Sequence, residues 1–478
     1  MNILFAASEC APYIKTGGLG DVISALPKAL LNQEIQVSVI LPKYGNLSDS
    51  YRNQLELHRI IEVPVGWRKQ YCGIEKIVKN GITIYFLDNE YYFKRYGSYG
   101  FYDDGERFAF FSRAVLEALP HLGIRPDVIH CHDWQTGPIP LLLHAHYSNH
   151  PFYKGIKTVF TIHNLRYQGI FSKSVLSELL DVSDRYFHID GVEFYGNVSY
   201  MKAGLAFADR LTTVSPTYSK EIQTTYYGEQ LDGFIRKRKS DLLGILNGID
   251  QSSYNPVSDS SLFENYDSYE GKIRNKKLLQ EEIALPVNES IPVISMITRL
   301  VDQKGIDLVL HVFNEMMKQN IQFIILGTGE YRYEKAFREL ANRYPKQVSA
   351  TNKFDEALSR KIYAGSDLFL MPSQFEPCGI GQLLAFRYGT LPIVRETGGL
   401  KDTVIPYNEF TNQGNGFSFT NYNAHDMLYT IERALWFYRF QPKKWKELTE
   451  KAMKLDFSWE TSAKAYKELY ESLHVLNV

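Results

Sequence analysis

Two Rossmann-like α/β domains facing a deep interdomain cleft are predicted for this chain by three observations: its length, a strand-and-helix rhythm that occurs twice, and a polar stretch between the two occurrences. At 478 residues the chain exceeds what one hydrophobic core usually supports, so two domains are expected. Apolar runs alternate with amphipathic stretches in both halves, which is the pattern of parallel sheets covered by helices on both faces. Between them, Asn255 to Ser290 is rich in Ser, Asn, Asp and Glu and apolar only in patches. The link between the domains is expected just before it, near residues 240–250.

The first six strands are read from ILFAAS (3–8), QVSVILP (36–42), TIYFLD (83–88), DVIHCHD (127–133), TVFTIHN (158–164) and RLTTVS (210–215). Each is short and rich in apolar or β-branched residues, as buried strands are. The second set is PVISMIT (292–298), FIILGTG (323–329), LFLMPS (368–373) and LPIVRE (391–396), with helix-like segments such as IDLVLHVFNEMMKQ (306–319) between them. The last segment, 458–478, reads as a helix with Trp459, Tyr466, Leu469, Tyr470 and Leu473 on one side. The expected domains are 1–242 and 243–457, with 458–478 as a separate final helix. Their cleft lies at the carboxyl ends of the strands, where ligands bind in open α/β sheets.

Composition excludes several classes of function. The formal net charge is -1, from 53 basic and 54 acidic residues, so neither nucleic acid nor an anionic membrane is the expected partner. The amino terminus MNILFAASECAP reads as a strand and not as a signal peptide, and no stretch is long and apolar enough to span a bilayer. Cys10, Cys72, Cys131 and Cys378 form no CxxC pair, which points to the cytoplasm and to no thiolate metal site. The 33 Tyr and 28 Phe suit a core and suit sugar stacking equally.

Lys15, Thr16, Gly17, Gly18, Leu19, Gly20 and Asp21 follow the first strand and precede a helix. A lysine beside glycines lets backbone N–H groups and a point charge approach an anion together. The spacing is neither a Walker loop, in which the lysine follows the glycines, nor a dinucleotide fingerprint, because Ile23 stands where the last small residue belongs. By itself the segment reads equally as an anion cradle or as a tight strand-to-helix turn. Farther on, one strand ends at His130, His132, Asp133 and Trp134 and its successor at His163 and Asn164. Two histidines and a carboxylate offer a metal site, although strand-end histidines more often form hydrogen bonds.

In the second half a strand ends at Arg299, with Lys304 and Gly305 before the next helix, a combination suited to a phosphate leaving group or else a pair of solvated loop cations. Gln374 to Gln382 places Glu376, Cys378, Gly379 and Gly381 in one strand-to-helix loop. A carboxylate there can hold sugar hydroxyls or balance oxocarbenium-like charge, and Glu-Pro can equally be a surface turn. Thr397, Gly398 and Gly399 in RETGGLKD repeat the first glycine turn and offer further phosphate donors.

In this order KTGGLGD, HDW, TIHN, NGID, TRLVDQKG, FEPCG and TGGLKDTV resemble the bacterial and plastid glycogen and starch synthases over essentially the whole chain. The resemblance implies a GT-B fold whose final helix crosses back to the first domain. It also implies metal-independent, cofactor-free transfer of glucose from ADP-glucose to the non-reducing end of an α-1,4-glucan (glycogen or maltooligosaccharides), with retention. Carried over, Lys15 contacts the diphosphate and Asp21 the sugar nucleotide, while Arg299 and Lys304 neutralise the departing phosphate. Asp133, His163, Asn247 and Glu376 surround the donor glucose, Cys378 and Gly379 line its pocket, and Phe354 stacks on adenine. For the acceptor, Tyr91, Tyr92, Phe93, Lys94, Arg95 and Tyr96 are the candidates, with core packing as their alternative use. No carboxylate nucleophile is evident, so front-face attack assisted by the leaving phosphate is the expected route to retention. Gln135 after HDW, Gln374 before FEPCG and Leu384 depart from the wider pattern.

Overall fold

In the computed structural model, which describes residues 1–353 and 355–475, the run NILFA forms the centre of the first of two units, Met1–Asn247 with the carboxyl-terminal helix Trp459–Val475. Its strands are β1 (Asn2–Ala6), β2 (Gln36–Pro42), β3 (Glu56–Val65), β4 (Arg68–Lys79), β5 (Ile82–Asp88), β6 (Val128–His132) and β7 (Lys157–Ile162). A small antiparallel ribbon follows, made of β8 (Ile170–Phe171), β9 (Glu193–Phe194) and β10 (Asn197–Ser199), and then β11 (Arg210–Thr213) and β12 (Leu242–Gly244). The main sheet runs β12-β11-β7-β6-β1-β2-β5-β4-β3. From β12 to β5 all neighbours are parallel, with Ile3 opposite both Val37 and Val128. All of these but the edge strand β12, whose Leu243 is exposed, are mostly buried on both faces, which is why the central ones read as apolar runs. The antiparallel hairpin β3–β4 extends the edge beside β5.

Chain order builds outward from β1 through β2 and β5, then returns to the other side of β1 with β6. Where the order reverses, between β1 and β6, helices on opposite faces leave the strand ends open to a ligand. The helix Gly18–Leu31 covers one face with Val22, Ile23, Leu26 and Leu30. Into the same core the carboxyl-terminal helix inserts Trp459, Tyr466, Leu469, Tyr470 and Leu473, each large side chain adding about 1.5–3 kcal/mol of burial.

The second unit, Gly248–Ser458, repeats the plan. Its strands are β13 (Val293–Ile297), β14 (Gln322–Leu326), β15 (Val348–Thr351), β16 (Leu368–Met371), β17 (Leu391–Arg395) and β18 (Phe417–Phe419), parallel throughout in the order β15-β14-β13-β16-β17-β18. Here the reversal lies between β13 and β16. The polar segment before β13 contains the helix Tyr269–Glu282, capped by the Ser268 side chain. Although polar in sequence, this helix buries Lys272, Asn275, Lys276 and Gln280, so its buried face is a hydrogen-bonding one. Among the described residues no helix is long and apolar enough to cross a membrane.

Candidate active site

Each unit carries its candidate residues mainly on the loops that follow the carboxyl ends of its parallel strands, at and beside its reversal point. In the first unit the chain leaves β1 through Ser8 and Glu9 and returns through Lys15–Gly18 to a helix with no side-chain cap. The buried Glu9 carboxylate holds the turn just before it. It accepts from the Thr16 N–H at 2.6 Å, the Thr16 hydroxyl at 2.5 Å and the Gly17 N–H at 3.2 Å, and Tyr99 Oη donates to it at 2.8 Å. The glycine turn is thus organised around an internal carboxylate, which occupies the Thr16 and Gly17 N–H groups. Lys15 lies at the surface and pairs with Asp21 at 2.7 Å.

At the ends of β6 and β7, Asp133 adopts φ +58°, a conformation costly for a non-glycine residue. That geometry brings its carboxylate to the His163 N–H at 2.7 Å and the Asn164 N–H at 3.4 Å, so Asp133 holds the turn that carries His163. Burial raises the Asp133 carboxyl to about 7, against the pull of those two N–H groups. The same burial lowers His163 to about 3, so its ring is neutral at physiological pH. His163 Nε2 is hydrogen-bonded to His132 Nδ1 at 3.0 Å. Both nitrogens of His130 are committed, Nδ1 to Tyr470 Oη at 2.7 Å and Nε2 to Thr161 Oγ1 at 2.6 Å. His130 therefore has no lone pair for a metal, and no cluster of three potential ligands occurs among the described residues. Asn247 is buried with its Oδ1 unpartnered.

In the second unit Lys304 and Glu376 meet. Lys304 Nζ lies 2.6 Å from Glu376 Oε2, to which the Ser373 hydroxyl also donates at 2.9 Å. Gly305, at φ +71°, lets the chain after Lys304 pass Pro372, whose carbonyl oxygen a Cβ would meet at 2.1 Å. Thr397 starts the helix Gly398–Thr403, and its first turn packs on the Glu376 loop, where the Gly399 N–H donates to the Glu376 carbonyl at 3.2 Å. Cys378 is buried in this loop, with its carbonyl accepting from Gln382 Nε2 at 3.1 Å, and Gly379 has φ +75°. Arg299 is exposed and has no ion-pair partner among the described residues. An ammonium beside a buried carboxylate, with an exposed guanidinium on the neighbouring loop, suits a sugar ring bearing a phosphate.

Gly398 has φ +46°, and a Cβ there would stand 1.9 Å from the Glu376 carbonyl oxygen. Gly398→Ala is expected to displace the Glu376 loop and lower turnover about 100-fold, the usual effect of misplacing a reacting group by about 1 Å. Steady-state rates alongside circular dichroism check this, and wild-type turnover would show that the loop tolerates the methyl group.

The family model described as the starch synthase catalytic domain matches residues 2–237, and that of the glycosyl transferases group 1 matches residues 280–454. The chain is 56% identical to a glycogen synthase of Geobacillus thermodenitrificans, covering 99% of this chain and 98% of the relative. It is 55% identical to one of Bacillus cereus, covering 99% and 100%. The chain belongs to the glycogen synthase family. A solved structure, the catalytic domain of starch synthase IV from Arabidopsis thaliana bound to ADP and acarbose, superposes with a TM-score of 0.92 at 36% identity over 98% of this chain and 99% of that one. The protein is accordingly a retaining glycosyltransferase of the GT-B fold that moves glucosyl units from a nucleotide-sugar donor to a glucan acceptor.

Within this member of the glycogen synthase family, one set of expected acceptor residues is corrected. Tyr92 and Phe93 are fully buried. Tyr92 donates its hydroxyl to Glu106 at 2.7 Å, and Phe93 packs against Tyr44, Phe108 and Phe110. Both are core residues without a face for a sugar. Arg95 is tied to Asp103 at 2.8 and 3.2 Å, while Tyr91, Lys94 and Tyr96 stay exposed. Phe354 lies outside the described residues.

Two site-building residues escaped the sequence reading. Glu9 carries no motif, and its only signal is an acid just past the carboxyl end of the first strand. Arg395, buried at the end of β17, donates to the carbonyls of Ser373 at 2.9 Å, Thr420 at 3.1 Å and Gln374, and so braces the Glu376 loop from behind. Of the departures, Gln374 takes part in this brace through its backbone, and Gln135 is buried with its Oε1 unpartnered.

Proposed function

We propose that the chain transfers glucose from ADP-glucose to the non-reducing end of an α-1,4-glucan, in the cytoplasm, without metal or cofactor. The observation that carries this reading is the full-length likeness to a starch synthase bound to ADP and acarbose, with the Lys304–Glu376 pair in place. The four cysteines are all buried and none is in a disulfide, in keeping with a reducing compartment. In the second unit Arg299 and Lys304 neutralise the diphosphate as the glycosidic bond breaks, helped by Thr397, Gly398 and Gly399 at the start of their helix. Glu376 holds the donor glucose by its hydroxyls, with Cys378 and Gly379 beside it. In the first unit His163, Asn164, Asp133 and Asn247 are the residues assigned to the donor sugar by the family resemblance. Lys15 releases Asp21 to meet the diphosphate, while Gly17 and Gly18 keep the turn open. Tyr91, Lys94 and Tyr96 remain for the glucan, with Arg95 as the structural anchor of their segment. Retention follows from front-face attack, in which the leaving phosphate oxygen takes the proton of the attacking hydroxyl.

Turnover on maltooligosaccharides is expected to favour ADP-glucose over UDP-glucose by at least about tenfold, equivalent to about 1.4 kcal/mol of discrimination between the two bases. Initial rates with both donors, with and without glycogen, decide it. A preference for UDP-glucose would reject the donor assignment.

A further inference from the structure

The imidazoles of His130, His132 and His163 form a ladder beneath the candidate donor-sugar residue. His130 is pinned at both nitrogens, by Tyr470 of the carboxyl-terminal helix and by Thr161, whose hydroxyl continues to Thr212 at 2.5 Å. Its ring packs on that of His132 with centroids 4.1 Å apart, and Phe5 packs on both rings. His132 is thus held in one orientation, with Nδ1 at 3.0 Å from His163 Nε2. Its other nitrogen, Nε2, is buried and has no hydrogen-bond partner.

Burial keeps all three rings neutral: His130 and His132 lie well below the usual histidine range, with their histidine neighbours reinforcing the effect, and His163 is lowered to about 3. Each ring therefore carries one N–H, and the hydrogen bond between His132 and His163 admits two arrangements. If His163 Nε2–H donates, His132 must carry its proton on Nε2, and a buried N–H is left with no acceptor. If His132 Nδ1–H donates, the unpartnered His132 Nε2 is only a lone pair. A buried donor left unpaired costs the full desolvation of that group, and orphaned N–H groups are rarer than under-used acceptors. The second arrangement leaves His163 protonated on Nδ1 of a ring that is only partly buried, where water or substrate can accept the proton, as neither can at the enclosed His132 Nε2.

We infer that His132 is a positioning residue that fixes the tautomer of His163, so that His163 meets the donor glucose as an Nδ1–H hydrogen-bond donor. The functional part of this inference rests on the proposed transfer reaction, whereas the tautomer itself does not. A fixed donor stabilises oxygen atoms that gain negative character and cannot accept a proton at the same nitrogen. His163 on this assignment is therefore an electrostatic contact rather than a general base.

The full chain, labelled with 15N-histidine, is examined by two-bond 1H–15N correlation spectroscopy, with His163 assigned as the signal set lost in His163→Gln. The expected result is a single His163 tautomer with the proton on Nδ1. His132→Phe removes the donor. It is expected to abolish that single tautomer and to lower kcat roughly 10- to 100-fold, the size seen when a supporting hydrogen bond to a site histidine is lost, with little change in KM for ADP-glucose. His132→Asn, whose amide N–H stands where Nδ1–H stood, is expected to restore both. A wild-type His163 protonated on Nε2 overturns the assignment. So does His132→Phe with wild-type tautomer and turnover, or His132→Asn as impaired as His132→Phe. Should His132→Phe not fold, the wild-type spectrum and the Asn variant decide. A chain inactive with ADP-glucose would reject the proposed reaction and leave the tautomer to be read independently.

Discussion

Lys304→Ala and Glu376→Ala are each expected to lower turnover by on the order of 10²- to 10³-fold, as when a preorganised charge at a reacting centre is deleted. The 2.6 Å contact between the two side chains gives the reason. Both are largely buried, so neither charge is well solvated, and each sets the position of the other. Without Lys304, the Glu376 carboxylate keeps Ser373 as its hydrogen-bond donor but faces a phosphate leaving group with one cation fewer. Without Glu376, the ammonium is free to swing away from its place beside the sugar. Because the two act as one unit, the double substitution is expected to cost little more than the worse single one, well short of the product of both. Initial rates at saturating donor and glucan, with thermal unfolding as a control on folding, measure this. Either variant within threefold of wild type would remove that residue from the reaction, and full additivity would show that the contact has no role in catalysis.

The parallel strands were legible because burial on both faces demands unbroken apolar runs, and β1, β2, β5, β6, β7, β13, β14, β16 and β17 all have them. The hairpin β3–β4 was not, because its strands mix charged residues with the exposed apolar side chains Leu57, Ile60, Tyr71 and Val78. Such strands are held by pairing to one another and to β5, a long-range fact that local pattern does not carry. The short β15 and β18 likewise owe their existence to the strands beside them.

At the site, charge was legible and pairing was not. Sequence gave Lys15 and Asp21 separate partners, and the structure sets them against each other at 2.7 Å. It offered Tyr92 and Phe93 as sugar platforms, although an aromatic that stacks on a ligand and one that fills a core are the same residue until burial is known. Glu9 shows the converse: a single acidic residue of no motif organises the glycine turn because the fold returns that turn to the end of β1.

Lys276→Met is expected to destabilise the second unit by about 3–5 kcal/mol, the cost of leaving one charge of a buried pair without its partner. Lys276 and Asp367 are almost completely shielded from solvent, with Nζ 2.7 Å from Oδ2. The ammonium also donates to the Glu289 carbonyl at 2.8 Å and to Tyr438 Oη at 2.8 Å, so all three of its N–H bonds are used. Burial pushes the Lys276 ammonium below its ordinary range, with Asp367 pulling the other way. Asp367 in turn accepts from the Val293 N–H at 2.8 Å. The pair therefore ties the helix Tyr269–Glu282 to the starts of β13 and β16, the two strands at the reversal point. Methionine fills the volume of the lysine stem but leaves the carboxylate alone in the core. Calorimetry is expected to show the transition temperature falling by about 10 °C, at about 2–4 °C per kcal/mol for a unit of this size. Adding Asp367→Asn removes the stranded charge while its amide oxygen still accepts from Val293, so the double variant is expected to regain at least half of the loss. A single variant within about 1 kcal/mol of wild type would mean that the carboxylate finds water or another cation. A double variant no better than the single would place the cost in the lost contacts to Glu289 and Tyr438 rather than in the unpaired charge.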